Sequence, residues 1–560
     1  MPVALAPGQE YQRRVSHDPA PSPRSDDAAT TTSQHSPSPD ASGGEPEELS
    51  DAARRRILGV LLVPLFMSLI SVSIVNVTLS SIQQDLHASA SALQWVLTGY
   101  ALAFGVLLVA SGRAGDVFGR RKLFVGGIAV FAGASLLCGL APSTTVLNIG
   151  RVVQGLGSGM LNPQTVGMIQ QYFRGRERAR AFGLFGSVVG VAVAIGPTLG
   201  GLLIQVLGPG TGWRAAFLVN VPIAVLAIVL ALLWLPRQRR RPGRVDMDPV
   251  GVGVFGVAVL ALLLPFVEAR VSPWIWLSLP AGLLLLCAWV RWERRYKTAG
   301  GSPMVDLELF RTASFSYGSL LISIYFLGVT SVWIVVAMYA QQGLGRTALE
   351  AGTLGLPASV LSAVIAPLSG RAVLRWGRTV VVVGMGVALS GILLSVLVAH
   401  GMSHWGWPIA CFYASLAFIG AGQGAVMAPN QTLSFADVPL KFAGAAGGVL
   451  QTGQRMGTAI GTALITAVTF AVLELADWNT AFAAAFGVIA LVVLLAMAVA
   501  VADGDAARPP PAPDPRTRRR GQRWDDAARR PRRRRRPGGV VDGGGLRPPR
   551  RPAVRRTRPR

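Results

Sequence analysis

The sequence contains few charged residues for its length. Only 14% of its 560 residues are Asp, Glu, Lys or Arg, whereas an average soluble protein has about 25%. Hydrophobic residues make up 51%, and many apolar stretches between residues 57 and 502 are long enough to cross about 30 Å of hydrocarbon as a helix. A soluble helix is rarely apolar on every face over that length. The scarcity of charge excludes an ordinary soluble protein and predicts an all-α integral membrane protein.

Several signatures of catalysis and of metal binding are also missing. Cys138, Cys287 and Cys411 are far apart in the chain, so no metal or redox spacing is present. The sequence has no Gly-x-x-x-x-Gly-Lys-Ser/Thr loop, which excludes ATP hydrolysis by this chain as an energy source. His400 and His404 could meet on a loop, but no acid or cysteine lies near them to complete a site. We therefore expect a protein that is not an enzyme and has no metal or cofactor.

Positive charge is concentrated at the C-terminal end. The net charge is +25, and about twenty arginines against four aspartates follow residue 507. Residues 504–560 are rich in Arg, Pro and Gly, so we expect a disordered tail. Three interpretations stay open: binding to anionic lipid headgroups, electrostatic binding to nucleic acid, or an inert extension of the kind that a shifted reading frame encodes. A nucleic-acid partner is not expected, because Trp524 is the only aromatic residue of this tail.

The first 53 residues lack the side chains that build a core. They are rich in Ser, Pro, Asp, Glu and Ala and have almost no aromatic or branched apolar residues. Burial could not offset the entropy lost on ordering such a segment, so residues 1–53 are predicted to be a second disordered tail. The first apolar run follows Arg54, Arg55 and Arg56 and is too long for a signal peptide.

The apolar runs predict about fourteen membrane-spanning helices. Connections after even-numbered runs are basic, whereas those after odd-numbered runs, such as 141–145 and 399–404, are nearly free of Lys and Arg. Because basic loops stay in the cytoplasm, we expect an even number of spans and two cytoplasmic termini. The basic connections are 113–122, 174–180, 237–244, 291–297, 371–378 and, more weakly, Lys441. The predicted spans are 57–80, 91–111, 123–141, 145–169, 180–206, 215–235, 249–267, 273–290, 315–340, 351–369, 379–399, 406–428, 444–470 and 480–502.

The chain contains an internal repeat with an offset of about 260 residues. The pattern Gly-Arg-Ala at 112–114 followed by Gly-Arg at 119–120 recurs at 370–372 and 377–378. Each copy joins the second and third spans of a six-span unit. Parallel repeats around a midplane site are typical of alternating-access carriers. The predicted organisation is a tail at 1–53, a six-helix bundle at 54–236, two inserted spans at 237–300, a second six-helix bundle at 301–503 and a tail at 504–560.

The first copy of the repeat is the segment Gly-Arg-Ala-Gly-Asp-Val-Phe-Gly-Arg-Arg-Lys at 112–122. Its glycines allow close approach of two helix ends, and Asp116 can cap a helix N-terminus and pair with bases of the other half. The segment resembles the signature loop of the major facilitator superfamily, except that Val117 replaces a usual base. The resemblance implies a gate, and the alternative is that the bases only set topology. The gate residues are Gly112, Asp116, Gly119, Arg120, Arg121, Gly370, Arg371, Gly377 and Arg378.

Two arginines within apolar spans are candidates for proton coupling or substrate binding. Arg151 lies in the fourth span and Arg455 in the thirteenth. An arginine inside hydrocarbon costs several kcal/mol, so it must face the bundle interior and find partners. Arg151 matches the arginine that the resemblance links to proton coupling. The alternative is a side chain that extends to the headgroups.

The fifth span is rich in small residues at helical spacing, which permits close helix contact, and its proline bends the helix. In the family this pattern resembles the signature of antiporters, which implies export; a generic tight helix pair is the alternative. The residues concerned are Gly186, Gly190, Gly196, Pro197, Gly200 and Gly201.

Further strings resemble the fourteen-span drug:proton antiporter family, and in particular antibiotic exporters of actinomycetes. There are four such strings. The first is 74–77 together with Trp95 and Tyr100, and the second is 213–217 together with 220–222. The other two are 303–310 and 451–461. Polar residues in apolar spans are predicted to face the cavity, and interhelical hydrogen bonding is equally open. These residues, with Tyr100, are Asn76, Gln94, Asn162, Gln164, Asn430, Gln431, Gln451 and Gln454.

The resemblance implies a monomeric carrier in the cell membrane that exports a drug, antibiotic or secondary metabolite by alternating access, driven by the proton gradient, and so confers resistance. A proton-coupled uptake permease on the same fold is the alternative. Ser71 stands where relatives often have Asp, and no carboxylate is predicted in the middle of a span. Because a buried cation needs an embedded anion, the substrate is predicted to be neutral, zwitterionic or anionic.

Overall fold

The computed structural model describes residues 50–236, 247–267 and 273–506, which are almost entirely helical. Most of the predicted tails and the basic connection 237–244 lie outside the described residues. The described residues form fourteen long helices. They are α1 Asp51–Leu86, α2 Ala90–Phe118, α3 Arg120–Gly139, α4 Thr144–Tyr172, α5 Gly175–Leu207, α6 Pro209–Trp234, α7 Pro249–Val267, α8 Ser278–Thr298, α9 Ala313–Gly343, α10 Leu356–Trp376, α11 Thr379–Trp405, α12 Ala410–Ser434, α13 Ala443–Leu473 and α14 Trp478–Ala506.

Thirteen of these helices are long and apolar enough to cross a membrane on their own. The remaining one, α4, has 29 residues and is long enough, at roughly 1.5 Å per residue, but it is too polar to qualify. Its polar residues are buried against neighbouring helices rather than exposed to lipid; they include Arg151, Gln154, Asn162, Gln164 and Gln170. The predicted all-α fold with about fourteen spans is confirmed.

The helices extend beyond the predicted spans, which corrects the positions of several basic connections. Residues 291–297 are the last turns of α8 and not a loop, and most of 174–180 is the first turn of α5. A helix can continue past the hydrocarbon because its polar residues then reach the headgroups. Residues 51–53 and 504–506, assigned to the tails from the sequence, are the outer ends of α1 and α14.

The two six-helix halves repeat the same packing pattern. In the first half α4 packs against α2 and α3, and α1 packs against α5 and α6. In the second half α12 packs against α10 and α11, and α9 packs against α13 and α14. Each pair in one half becomes the corresponding pair in the other by a shift of eight helices, so the internal repeat found in the sequence is a repeat of structure.

Ion pairs place the ends of the helical region on one side of the molecule. Arg54 at the start of α1 binds Glu177 at the start of α5, with 2.7 Å between guanidinium and carboxylate. Asp503 near the end of α14 forms an ion pair with Arg378, which precedes α11. These elements carry the basic residues, so we call this end of the molecule the basic end; by the positive-inside rule it is cytoplasmic.

The inserted helices α7 and α8 pack on each other, and α7 packs against α2 and α13. Phe255 of α7 and Trp289 of α8 have ring centroids 4.8 Å apart and form an apolar cluster with Leu102 of α2 and Val449 of α13. The pair therefore contacts both halves of the molecule at one place.

Candidate functional site

The two halves are joined at the basic end through Asp116, near the end of α2. Its carboxylate accepts hydrogen bonds from the backbone N–H groups of Gly444 and Ala445, both at 3.1 Å, and so caps α13 of the opposite half. The same carboxylate pairs with Arg120 at 2.7 Å. Arg120 also donates to the carbonyl of Leu440 across the interface, at 2.9 Å. Asp116 and Arg120 thus connect one half to the other, and the base that Asp116 binds belongs to its own half.

The second copy of the gate loop makes a different set of contacts. Arg378 donates to Asn430 at 2.7 Å and pairs with Asp503, so its bonds stay within the second half. Leu374 replaces the acid of the first copy. Gly119 and Gly377 have positive φ angles, +103° and +52°, a conformation that glycine adopts without steric cost. Gly119 separates α2 from α3, and Gly377 with Arg378 separates α10 from α11. In the first copy Arg121 donates to the carbonyl of Leu232, at 2.6 Å.

Four arginines surround an open cleft of about 680 Å³ at the basic end. Two belong to α5 and two to α10, so the cleft lies across the junction of the two halves. The acid among its lining residues, Glu177, is bound to Arg54. The arginines are Arg176, Arg180, Arg371 and Arg375.

Glycines bring the backbones of the two halves together at the basic end. A Cβ atom on Gly112 would overlap the carbonyl of Gly444, and one on Gly444 would overlap the carbonyl of Gly112. A Cβ on Gly448 would lie 2.6 Å from the carbonyl of Leu108. Gly370 meets the carbonyl of Ala179 in the same way. Side chains at these positions would push the halves apart.

The small residues of α5 face two different partners. Gly186 and Gly190 lie against α10, near Ala366 and Ser359 respectively, whereas Gly196 and Gly200 lie against α1. Pro197 lies inside the helix, next to Gly196 in the part that contacts α1. Gly201 has open space around its Cα and takes no part in either contact.

A cavity of about 210 Å³ lies between the two halves. Helices α1, α4 and α5 line it from one half, and α9, α10, α12 and α13 line it from the other. The lining that the structure describes includes aromatic, amide and hydroxyl side chains, but no Asp or Glu. Of the residues predicted from the sequence, it includes Asn162, Gln431, Gln451, Gln454 and Arg455.

Several polar groups of this cavity have no partner among the described residues. They include Gln431 Oε1, Gln451 Nε2 and Gln454 Nε2, although all three side chains are more than 90% buried. Arg455 lies 4.4 Å from the ring centroid of Phe104, and in the described part of the chain its guanidinium forms neither a salt bridge nor a hydrogen bond. Buried polar groups are normally satisfied, so these side chains form a set of donors and acceptors available to a ligand.

Arg151 lies away from this cavity, inside the first half. It is 1% exposed, donates to the carbonyl of Val96 at 2.7 Å and to Gln154 at 2.6 Å, and stacks 4.4 Å from the ring of Tyr100. Gln154 in turn donates to Ser135 at 2.7 Å. These contacts satisfy the guanidinium within a single bundle, and they connect α2, α3 and α4.

The remaining candidates also lie outside the cavity lining. Tyr100 bonds to Ser158 at 2.7 Å, Gln164 donates to the carbonyl of Ser111 at 2.7 Å, and Asn430 donates to the carbonyl of Gly318 at 3.0 Å. Each of these bonds joins two helices of one half. Asn76 is exposed, and Gln94 is half-buried near the start of α2.

Sequence reasoning missed two groups of residues. The cavity is also lined by Phe185, Phe326, Trp333 and Gln423; only Gln423 stood in a noticeable motif, the glycine-rich stretch 420–424. The second group is a buried carboxylate, Glu293, which is 1% exposed inside α8. It lies near the end of α8, outside the predicted span 273–290, and was hidden among the bases of 291–297.

We expect Arg151→Lys to lower stability rather than substrate affinity. A lysine cannot bond Val96 and Gln154 together while stacking on Tyr100, so the free energy of unfolding should fall by about 1–3 kcal/mol. Thermal melts of the purified protein measure this, and Arg180→Lys, at an exposed position, is the matched control. A normal melting temperature with loss of proton-driven transport would contradict this expectation and support a coupling role for Arg151.

The sequence profile described as Major Facilitator Superfamily matches residues 61–462, and again residues 318–550. The chain belongs to the major facilitator superfamily. This superfamily member is 34% identical over 446 residues to the probable actinorhodin transporter of Streptomyces coelicolor, covering 78% of this chain and 76% of that protein. It is 31% identical to the tetracenomycin C resistance and export protein of Streptomyces glaucescens, over 73% of each chain.

A solved structure shares the fold of this superfamily member. The human organic anion transporter MFSD10 aligns with a TM-score of 0.59 and 14% identity, covering 81% of this chain and all of that one. At that identity the likeness shows the fold alone. The predicted family and the major-facilitator fold are confirmed, and the chain is a multi-pass membrane transporter.

Proposed function

We propose that this protein exports a small organic molecule, an antibiotic or related secondary metabolite, across the cell membrane in exchange for protons and as a monomer. The observation that carries the proposal is the cavity between two similar halves, which are joined by Asp116 and Arg120 at the basic end and hold free polar groups between them. Two bundles that rock about such a cavity expose it to each side in turn. Relatives are named for transport of actinorhodin, for export of and resistance to tetracenomycin C, and for resistance to puromycin.

The charge of the cavity supports an anionic or neutral aromatic substrate. Arg455 provides a cation that has no counter-ion among the described residues, and no carboxylate lines the described cavity. The rings of Phe185, Phe326 and Trp333 provide faces for stacking. A cationic substrate would meet Arg455 without a compensating anion, which is unfavourable in a low-dielectric site. We therefore propose that an acidic group of the substrate binds Arg455 and that its ring system lies against the aromatic side chains.

The function is tested in susceptible cells that produce the protein, with a panel of acidic, neutral and cationic antibiotics. We expect resistance to acidic and neutral aromatic compounds, and we expect an uncoupler to abolish it because the proton gradient would no longer drive export. Increased accumulation of the compounds, or resistance that persists after the uncoupler, would overturn the proposal.

The role of Arg455 is tested with one dye in two charge states. Inverted vesicles would take up a carboxylated xanthene dye or its methyl ester, and we expect Arg455→Gln to raise KM for the acid about tenfold, the loss of one charge-assisted hydrogen bond. KM for the ester should change less than about twofold. Arg346→Gln, at an exposed salt bridge with Glu350, is the control variant. An equal rise of KM for acid and ester would contradict the assignment.

A further inference from the structure

Glu293 is a buried acid without a bonding partner, outside the central cavity. It lies five residues before the end of α8 and is 1% exposed. Neither of its carboxylate oxygens accepts a hydrogen bond from any residue that the structure describes. The backbone N–H groups of Met304 and Val305 face this carboxylate without reaching hydrogen-bond geometry. A buried polar group normally has a hydrogen-bond partner, and a buried charged group needs one even more.

A second carboxylate lies beside it. Asp248, directly before α7, is 0% exposed, and its Oδ1 accepts hydrogen bonds from the backbone of Gly251 and from Trp292 Nε1, both at 2.9 Å. A Cβ atom on Gly251 would contact the carboxylates of both Asp248 and Glu293. A single point, the Cβ position of residue 251, thus lies next to Asp248 Oδ2 and 3.0 Å from Glu293 Oε1, so the two carboxylates are close neighbours.

An indole completes the site from the adjacent turn of α8. Trp289 is 4% exposed, and its Nε1 has no acceptor among the described residues although it faces Glu293. This is a second buried polar group without a partner, and it points to the same place. A carboxyl group that holds a proton suits this environment, because ionisation would place a second negative charge beside Asp248 in a buried site where no described residue forms a salt bridge with Glu293.

Residues 302–311, which we call the strap, cover the site. Met304 and Val305 are 1% and 0% exposed and pack in the apolar cluster of α7 and α8 with α2 and α13. Lys297 holds the strap to α8 by binding Asp306 at 2.8 Å. Among the described residues, none of the charged groups on the surrounding elements forms a salt bridge with Glu293. These groups are Arg113 of α2, Asp248, Arg291, Arg294, Arg295, Lys297, Asp306 and Glu308.

We propose that Glu293, next to Asp248, is a proton-binding site of the inserted helices, and that its proton keeps the strap closed over α8. When the proton leaves, two adjacent carboxylates face each other in an apolar enclosure, and the strap lifts to let water reach them. The strap leads from α8 into α9, the first helix of the second half. Loss or gain of the proton on Glu293 would therefore change the position of the strap, which connects the inserted helices to the second half.

The test measures exposure of the strap as a function of pH. Val305→Cys is made in a protein without its three native cysteines, and its labelling rate with a maleimide is divided by that of Ala299→Cys, an exposed position, which corrects for thiol ionisation. We expect the ratio to rise about tenfold from acid to alkaline pH. Glu293→Gln should hold the ratio at its acid value at every pH, because the amide cannot ionise. Glu308→Gln, the matched exposed acid, should keep the rise.

A second variant and a second measurement guard against a folding defect. Asp248→Asn keeps a side-chain oxygen for Gly251 and Trp292, and it should move the midpoint of the rise to lower pH because the repulsion between the acids is gone. In infrared difference spectra between acid and alkaline pH, a carboxylic acid band should be present in the parent and in Glu308→Gln and missing in Glu293→Gln. A constant ratio in the parent, an unchanged rise in Glu293→Gln, or the same band in all three proteins would overturn the proposal.

Discussion

Replacing Asp116 with asparagine will open the basic end of the carrier and reduce transport about a hundredfold. The carboxylate accepts hydrogen bonds from Gly444 and Ala445 and pairs with Arg120. An asparagine turns one of these acceptors into a donor and leaves Arg120 buried without its anion. The two hydrogen bonds from Gly444 and Ala445 cross between the halves. Loss of charge-assisted bonds of this kind costs about 1.5 kcal/mol each, which together corresponds to a factor of about 100 in the balance between closed and open forms.

Two measurements check this expectation. A cysteine at Val166, which lies against Gly447 in the closed interface, should become accessible to an impermeant thiol reagent applied at the basic end, while efflux from intact cells falls. Asp477→Asn is the matched control, since Asp477 is exposed, directly precedes α14, and its carboxylate bonds to Thr480 of that helix. Full efflux in Asp116→Asn, with no labelling at position 166, would contradict the assigned role.

Gly112→Val should abolish transport while leaving substrate binding intact. The backbones of Gly112 and Gly444 are in direct contact, so a valine side chain prevents closure of the basic end. Because interfaces of this kind are close-packed and cannot deform continuously, we expect at least a roughly hundredfold loss of transport rate. The carrier would stay open at the basic end, and its cavity would remain accessible to a ligand.

The matched control for this variant is Gly133→Val in α3, where no atom lies within 4 Å of the added Cβ. It should transport at nearly the parental rate. Binding is followed by the quenching of a bound dye, and transport by uptake into inverted vesicles. Parental transport in Gly112→Val, or loss of binding together with transport, would show that this glycine does not limit closure.

Features that depend on the order of residues along the chain were predictable. The spacing of Gly112, Asp116 and Gly119 indicated a helix end that meets another helix, and the second copy at Gly370 and Gly377 indicated two similar halves. Apolar run lengths and basic connections gave the number of spans and their direction. These properties depend on length and charge, which a sequence displays directly.

The rotation of each helix about its axis could not be predicted. A helix that is apolar on nearly all faces gives little periodicity from which to assign its inner face, so Gln431 and Asn430, neighbours in α12, were equal candidates. Only Gln431 faces the cavity; Asn430 bonds to Gly318. The same limit applies to the two candidate arginines. The sequence places both inside apolar spans, but it does not reveal that Arg151 bonds within its own half whereas Arg455 lines the cavity.

The polarity of α4 has a consequence for how the protein is made. This helix is too polar to enter the bilayer by its own hydropathy, and an arginine in the middle of a nascent span opposes release from the translocon by about 2.5–3.5 kcal/mol. Partners for Arg151 and Gln154 come from α2 and α3, which are synthesised first. The order of synthesis thus provides acceptors for the guanidinium before α4 leaves the ribosome, and α4 integrates as the last member of a group rather than as an independent segment.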